Sequence, residues 1–314
     1  MNNTVKKVKD FNEGEHLTCN LIVTNMVKGT TNSGAPYLTL ALQDDTKSID
    51  AKLWDVKPEI EKELETGKVF NFEFEVIKYR NALQLKIIKI LPVIQEEINK
   101  EDFIFKSPVA KEDLRNIVHD AINRIHNKTI ARIVVAVLNE YENDFYEYPA
   151  ASKIHHSFMG GLATHVCGMI QLANAIADIY PTVNRDYLVA GVILHDLGKI
   201  EELSSPVVTE YTTLGKLVGH ISILHAKLTA IGEELKLSDS EEMMILRHMV
   251  LSHHGHLEYG SPVRPMTLEA ELLFLIDNID ARINTIDKAL DGVKEGEFTP
   301  KLFALENRAF YKHK

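Results

Sequence analysis

Cysteine is scarce in this chain. Only Cys19 and Cys167 occur among 314 residues, too few for a cysteine zinc site and too widely spaced for a secreted disulfide framework. They read as buried thiols of a reducing cytoplasm. No glycine-rich phosphate loop is present. No apolar run reads as a membrane span. The N-terminus, Met1-Asn2-Asn3-Thr4-Val5-Lys6-Lys7, leads into no signal-type apolar stretch. Positive charge is in deficit as well. The 35 Lys/Arg against 45 Asp/Glu leave a net charge of −10, which argues against a blanket electrostatic grip on nucleic acid. The deficit is uneven: residues 1–95 carry 13 Lys/Arg and 13 Asp/Glu. The acidic remainder suits a site that concentrates divalent cations.

Apolar residues make up 45% of the chain, enough for ample core, and their period changes along it. His16–Thr24 alternates, with Leu17, Cys19, Leu21 and Val23 on one face. Tyr37–Leu42 alternates with Leu38, Leu40 and Leu42 inward, and Ile49, Ala51 and Leu53 continue the pattern. Phe70, Phe72, Phe74 and Val76 give the clearest period of two, and Leu83, Leu85 and Ile87 mark a fifth strand. Turn signals separate these runs at residues 32–36, at 44–46 and at Arg80-Asn81. Lys57–Glu65 reads as a short helix. Five strands with a helix between the third and fourth is the order of an OB-fold barrel. The segment resembles nucleic-acid-binding OB modules, such as those of tRNA-binding and anticodon-binding proteins.

Such barrels bind single strands with aromatic platforms and a basic groove. Tyr37 and Trp54 fall on the parity opposite the core and are candidates for base stacking. Lys52, Lys78, Arg80, Lys86 and Lys89 are candidates for phosphate contacts. From Pro92 to about Pro108 the chain reads as a charged connector that Phe103 and Phe105 could dock. From Lys111 onward the period is helical. The expected organisation is an all-β barrel over 1–95, a linker over 96–110 and an all-α bundle over 111–314.

Ten of the 14 histidines lie between His155 and His256, about a third of the chain. His165 sits in the apolar stripe of a helix opened by Gly160-Gly161. Val192-Ile193-Leu194-His195-Asp196-Leu197-Gly198-Lys199-Ile200 ends an apolar helix in an adjacent imidazole and carboxylate. His220 belongs to a helix that also holds Leu217, Ile221, Leu224 and Leu228. His253-His254 precedes a Gly stop at Gly255. Asp277 interrupts the apolar helix over residues 272–286, where a lone buried carboxylate would cost several kcal/mol. Singly, each is an ordinary residue. Five helices presenting His or Asp inward point to a shared metal. Nitrogen-rich donors with carboxylates suit Mn, Fe or Zn better than Mg.

In the order His165, His195-Asp196, Asp277, the chain resembles the HD-domain metal-dependent phosphohydrolases. His155-His156, Gly160-Gly161-Leu162, residues 194–203 and residues 210–221 are similar to the YhaM 3′–5′ exoribonucleases, which also carry an N-terminal OB domain. The Gly-Tyr-Pro motif of cyclic-dinucleotide phosphodiesterases is absent; Gly260-Ser261-Pro262 follows the His pair.

The resemblance implies two divalent ions, Mn²⁺ first with Fe, Co or Zn as alternatives. His165, His195, Asp196 and Asp277 would hold one, and Asp196, His220 and His253 the other, with His254 as a ligand or in support. It implies that water activated by both ions cuts the terminal phosphodiester, that Lys199 neutralises the scissile phosphate, and that 5′-mononucleotides leave single-stranded RNA, with single-stranded DNA a second substrate. Two other functions fit less of the sequence. A nucleotide or cyclic-nucleotide phosphohydrolase leaves the barrel idle, and a non-enzymatic DNA- or RNA-binding regulator leaves the ligand set without a purpose. Phe303, Leu305, Phe310 and Tyr311 suggest either a homo-oligomer contact or a segment folded back on the bundle, and a cytoplasmic setting without a membrane partner is expected.

Overall fold

The period-2 runs become five strands because alternate side chains share one interior. The computed structural model describes residues 6–80, 82–91, 93–151, 156 and 158–314. Asn81 of the expected turn, Pro92 of the connector, His155 and residues 1–5 lie outside the described residues. The strands are β1 (His16–Thr30), β2 (Pro36–Gln43), β3 (Ser48–Trp54), β4 (Val69–Tyr79) and β5 (Ala82–Leu91), with α1 (Pro58–Glu63) between β3 and β4. They close in the order β1-β2-β3-β5-β4, with β3 and β5 parallel and the other pairs antiparallel. This is an OB-fold-like barrel. Leu21, Val23, Leu38, Leu40, Leu42, Ala51, Phe72, Phe74, Val76 and Leu85 fill it.

Two local readings change. Strand β1 runs six residues beyond Thr24 because a register shift between Val23 and Asn25 bends it onto β2. Leu83, expected inside, is 37% exposed. It pairs with Lys78 at the open end of the β4–β5 hairpin, beyond the reach of the barrel interior.

The chain divides into two compact units, Met1–Lys106 and Ser107–Lys314. In the first, the barrel is followed by 3₁₀ turns at Gln95–Glu97 and Lys100–Phe103. Ile104 is the buried residue there, and Phe103 and Phe105 are half-buried. The second unit holds α2 (Lys111–Asn123), α3 (Lys128–Phe145), α4 (Gly161–Ile179), α5 (Arg185–Leu194), α6 (Lys199–Glu202), α7 (Thr213–Val218), α8 (His220–Glu234), α9 (Glu241–Ser252) and α10 (Leu268–Asp291). Helix α5 is its centre. Residues Leu188 to Leu194 are all buried, and α5 packs against α2, α3, α4, α9 and α10. Helix α4 is long and apolar enough to cross a membrane by length and composition. Its buried residues, including Leu162, Val166, Met169 and Ala173, lie in the helical core.

Two expectations fail in this unit. Leu217 does not share a helix with His220: it lies on α7 and is 81% exposed. The apolar helix expected over residues 272–286 lies within α10, where Leu273 and Ile276 are buried and Leu275, Ile279 and Ile283 are exposed. Leu305 is buried, not available to a second subunit, whereas Phe303 and Tyr311 are exposed and Phe310 is half-buried.

Both cysteines are buried free thiols. Burial pushes each up to about 12 from the ordinary thiol value. Because the thiolate is the reactive form, the native protein at pH 8 is expected to show no rapidly reacting thiol toward a disulfide reagent, and two once denatured. A fast native thiol would contradict this burial.

Candidate metal centre

Helices α5 and α9 end in the same way. His195 stands one residue past α5, and its Nδ1 donates to the Val192 carbonyl at 2.8 Å. His253 stands one residue past α9, and its Nδ1 donates to the Val250 carbonyl at 2.8 Å. In each case the imidazole satisfies a carbonyl that the helix end leaves unpaired. A carbonyl oxygen can only accept, so Nδ1 carries the proton and Nε2 keeps its lone pair. Two helix C-termini, each with partial negative charge, therefore direct imidazole lone pairs to one region, an arrangement that favours a cation.

The other histidines obey the same rule with other acceptors. His165, on α4, places Nδ1 2.6 Å from Asp280 Oδ2. His220, the first residue of α8, places Nδ1 3.1 Å from Glu202 Oε1. His254 donates from Nδ1 to the Tyr259 carbonyl at 2.8 Å. In all five rings Nδ1 is fixed by the protein and Nε2 faces the site, which is the usual outer support of metal-binding imidazoles.

Asp196 lies at the centre. Its Oδ2 is 3.3 Å from His195 Nε2 and 3.9 Å from His165 Nε2. Its Oδ1 is 3.6 Å from both His220 Nε2 and His253 Nε2. Asp277, on α10, is 3.2 Å from His165 Nε2. The donor atoms of His165, His195 and Asp277 lie within 4.8 Å of one another, and so do those of His220, His253 and His254. All seven metal-ligand candidates from the sequence thus converge, as two triads that flank Asp196.

Gly198 makes the convergence possible. A Cβ at that position would lie 2.2 Å from the His220 carbonyl oxygen, so any larger residue would push α8 away from the Asp196 turn.

Lys199 is not poised over His195 on a continuous helix. The turn at residues 195–198 intervenes, and Lys199 Nζ bonds Asp196 Oδ2 at 2.7 Å. Burial opposes charge on both partners, yet each holds the other ionised: Asp196 stays well below the usual carboxylate range, beside Lys199 and His195, and Lys199 is raised. Burial likewise disfavours a charged His165, but Asp277 and Asp280 outweigh it and push the ring up to about 9. His254 is drawn down to about 4 by burial and by His253.

His195 Nε2, Asp196 Oδ1, His220 Nε2 and His253 Nε2 are buried and lack a hydrogen-bond partner among the described residues. Each such atom costs about 1–3 kcal/mol if left unsatisfied. Divalent cations would satisfy all four, so the residues fit the metals that the motif implies.

Three residues of this centre escaped assignment from sequence. Asp280 fixes His165 and also receives His156 Nε2 at 2.8 Å. Its signal was present, since it lies three residues after Asp277 and hence on the same helix face. Glu202 and His156 were visible only as parts of the motif. A further group of possible ligand atoms, His156, His165 and Asp280, is this supporting layer.

In the barrel, Tyr37 and Trp54 are cross-strand partners with ring centroids 5.1 Å apart. Trp54 is 46% exposed, so it is not a buried plug. Lys52 Nζ lies 4.5 Å from the Tyr37 ring centre, and Lys52 pairs in register with Lys86 on β5. A Cβ at Gly29 would lie 2.4 Å from the Tyr37 ring, so glycine there lets the ring lie across β1. Lys86 is partly engaged by Glu75 at 3.6 Å. Lys78 and Lys89 are exposed on their strands, and the exposed Arg80 packs its guanidinium on Tyr79, 5.3 Å from the ring centre.

Comparison with known proteins agrees with this geometry in the helical unit. The family described as HD domain matches residues 162–282, a span that holds all seven converging ligands, with His165 on α4, His220 on α8 and Asp277 on α10. An HD domain indicates a metal-dependent phosphohydrolase. A crystal structure of a domain of replication protein A from Methanococcus maripaludis is 22% identical, covering 27% of this chain and 90% of that one, with a TM-score of 0.24. The solution structure of the second OB-fold domain of replication protein A from the same organism is 20% identical, covering 30% and 98%, with a TM-score of 0.25. Neither likeness bears on what this chain binds.

Asp280→Asn removes the carboxylate that fixes His165. It is expected to weaken divalent-metal affinity about 10–100-fold, measured by competition with a chromogenic chelator. Unchanged affinity would remove Asp280 from the metal centre.

Proposed function

We propose that the protein is a metal-dependent 3′–5′ exoribonuclease that degrades single-stranded RNA to 5′-mononucleotides. The observation that carries the hydrolase part is the pair of donor groups, His165/His195/Asp277 and His220/His253/His254, that flank Asp196. Polarity and RNA preference rest on the likeness of residues 194–203 and 210–221 to YhaM exoribonucleases. The proposal includes single-stranded DNA as a second substrate, a cytoplasmic setting and self-association through the exposed Phe303 and Tyr311.

His165, His195, Asp196 and Asp277 would hold one ion, and Asp196, His220, His253 and His254 the other, with Mn²⁺ the first choice for such mixed nitrogen and oxygen donors. When bound, divalent ions supply Lewis acidity toward a phosphoryl oxygen and make water a stronger nucleophile at neutral pH. The protein's part is positioning. Asp280, Glu202 and three backbone carbonyls hold the imidazoles in one orientation. Lys199 brings a buried cation to the edge of Asp196, where it offsets charge on the scissile phosphate.

The barrel supplies a surface for the strand. Tyr37 and Trp54 offer two adjacent rings, and Lys52 and Lys86 flank them. Base stacking on such rings contributes about 1–3 kcal/mol per base. Tethering the barrel to the helical unit raises the local concentration of strand near the cutting site.

The test uses 5′-labelled single-stranded RNA with Mn²⁺. The expected course is stepwise shortening from the 3′ end with release of 5′-mononucleotides. Asp196→Ala should abolish turnover while strand binding persists. Hydrolysis of free nucleotides alone would assign the protein to nucleotide metabolism, and a wild type inert with every divalent metal would leave it a binding protein. Replacing Tyr37 and Trp54 together by Ala should weaken strand binding about tenfold or more while sparing cleavage of a dinucleotide. Equal losses on both substrates would contradict the platform.

A further inference from the structure

A cavity of about 510 Å³ is lined in part by the ligands Asp277 and His254, within the roughly 300–1,000 Å³ that small-ligand sites occupy. Helix α10 walls it for two turns with Asp277, Asn278, Ala281, Arg282 and Thr285, residues that recur at helical spacing. Arg282 lies five residues past Asp277, about 7.5 Å along the helix axis, a distance that one nucleotide spans.

The C-terminal segment supplies another wall. It folds back as a hairpin through Phe298 with Tyr311 and Leu302 with Arg308. Leu305 anchors it, 2% exposed. At its tip Glu306 and Asn307 take left-handed backbone angles, with φ of 53° and 57°, a conformation that non-glycine residues adopt rarely.

The tip presents Glu306 to Arg282 in a forked contact. Arg282 Nη1 donates to one carboxylate oxygen at 3.1 Å and Nη2 to the other at 3.2 Å. A guanidinium fork of this kind recognises any anion with a two-oxygen edge, and phosphate presents one. Arg308 holds the same carboxylate at the oxygen that Arg282 Nη2 also contacts, Nη2 to Oε2 at 2.6 Å. Glu306 can therefore release Arg282 and keep a cationic partner, and such solvent-exposed ion pairs are cheap to exchange. Beside them Tyr259 is 61% exposed, and its backbone carbonyl is the one that orients His254.

We propose that this cavity is a nucleotide subsite of the substrate strand, in which Tyr259 meets the base and Arg282 takes the phosphate one nucleotide from the scissile one, displacing Glu306 onto Arg308. Asn278 and Thr285 offer an amide and a hydroxyl to sugar or base edges. Glu306 is thus an internal stand-in for phosphate that keeps Arg282 in place before substrate arrives. The assignment rests on the phosphodiesterase reading of the metal centre, and it makes strand length a property that the helical unit itself reads.

The test separates the two. With EDTA present, binding of the dinucleotides pApA and ApA to the full-length protein is measured by calorimetry. Wild type should bind pApA at least tenfold tighter than ApA. Arg282→Ala should bring that ratio close to one. Glu306→Gln, which loosens the stand-in and leaves the fork intact, should raise the ratio several-fold. A wild-type ratio near one, or a ratio unaffected by Arg282→Ala, overturns the subsite. Hydrolysis of bis(p-nitrophenyl) phosphate by the Mn²⁺-loaded wild type reports the metal centre independently. A protein that cleaves this diester without the pApA preference keeps its hydrolase assignment and loses the subsite. One that shows the preference but cleaves no diester keeps the subsite as a phosphate-recognising pocket and loses the hydrolase assignment.

Discussion

The helical unit depends on a single constraint, repeated five times: an imidazole whose Nδ1 proton is committed to a fixed oxygen. Val192 and Val250 supply backbone carbonyls at two helix ends, Tyr259 supplies a third carbonyl, and Glu202 and Asp280 supply carboxylates. The three bonds to carbonyls are local, whereas those to Glu202 and Asp280 join separate elements. Together they orient every ring and turn the other nitrogens toward Asp196 and Asp277. At His195 and His253 the alternative, with Nδ1 released, would bury an unpaired carbonyl, which a packed interior does not tolerate.

Packing serves this arrangement. Helix α5 is buried along its whole apolar run and ends at Leu194, so the adjacent His195 and Asp196 emerge from a rigid support. Gly198 lets α8 approach closely enough for His220 to face Asp196. The acidity of the C-terminal two-thirds of the chain acquires a local meaning here. Asp196, Glu202, Asp277 and Asp280 are all held below their ordinary values although burial opposes their charge, because Lys199 or an imidazole lies beside each. The barrel works on different terms. Its interior is filled, and its chemistry lies on the outer face, where Tyr37, Trp54, Lys52 and Lys86 are neighbours in register.

Much of this was legible before folding, for physical reasons. A strand with one buried face must alternate, so Phe70, Phe72, Phe74 and Val76 could be placed inside the barrel from their period. The ligands were legible because imidazoles and carboxylates on apolar stripes need a reason to be there. What stayed hidden depended on tertiary context. Leu83 keeps the right parity, yet it sits where the hairpin outruns the barrel. Leu217 keeps the right spacing to His220, but the chain turns between them at Gly219, so one helix became two. Leu305 reads as surface in a polar tail and proves to be the anchor of the C-terminal hairpin. Asp280 and Glu202 support the ligands without being ligands: Asp280 shares a helix face with Asp277, whereas Glu202 has no such spacing to mark it.

Anomalous diffraction from crystals grown with Mn²⁺ tests the central claim most directly. The account predicts two peaks flanking Asp196, one beside His165, His195 and Asp277 and the other beside His220, His253 and His254. Absence of both peaks, with these imidazoles bonded to other protein groups through Nε2, would contradict it.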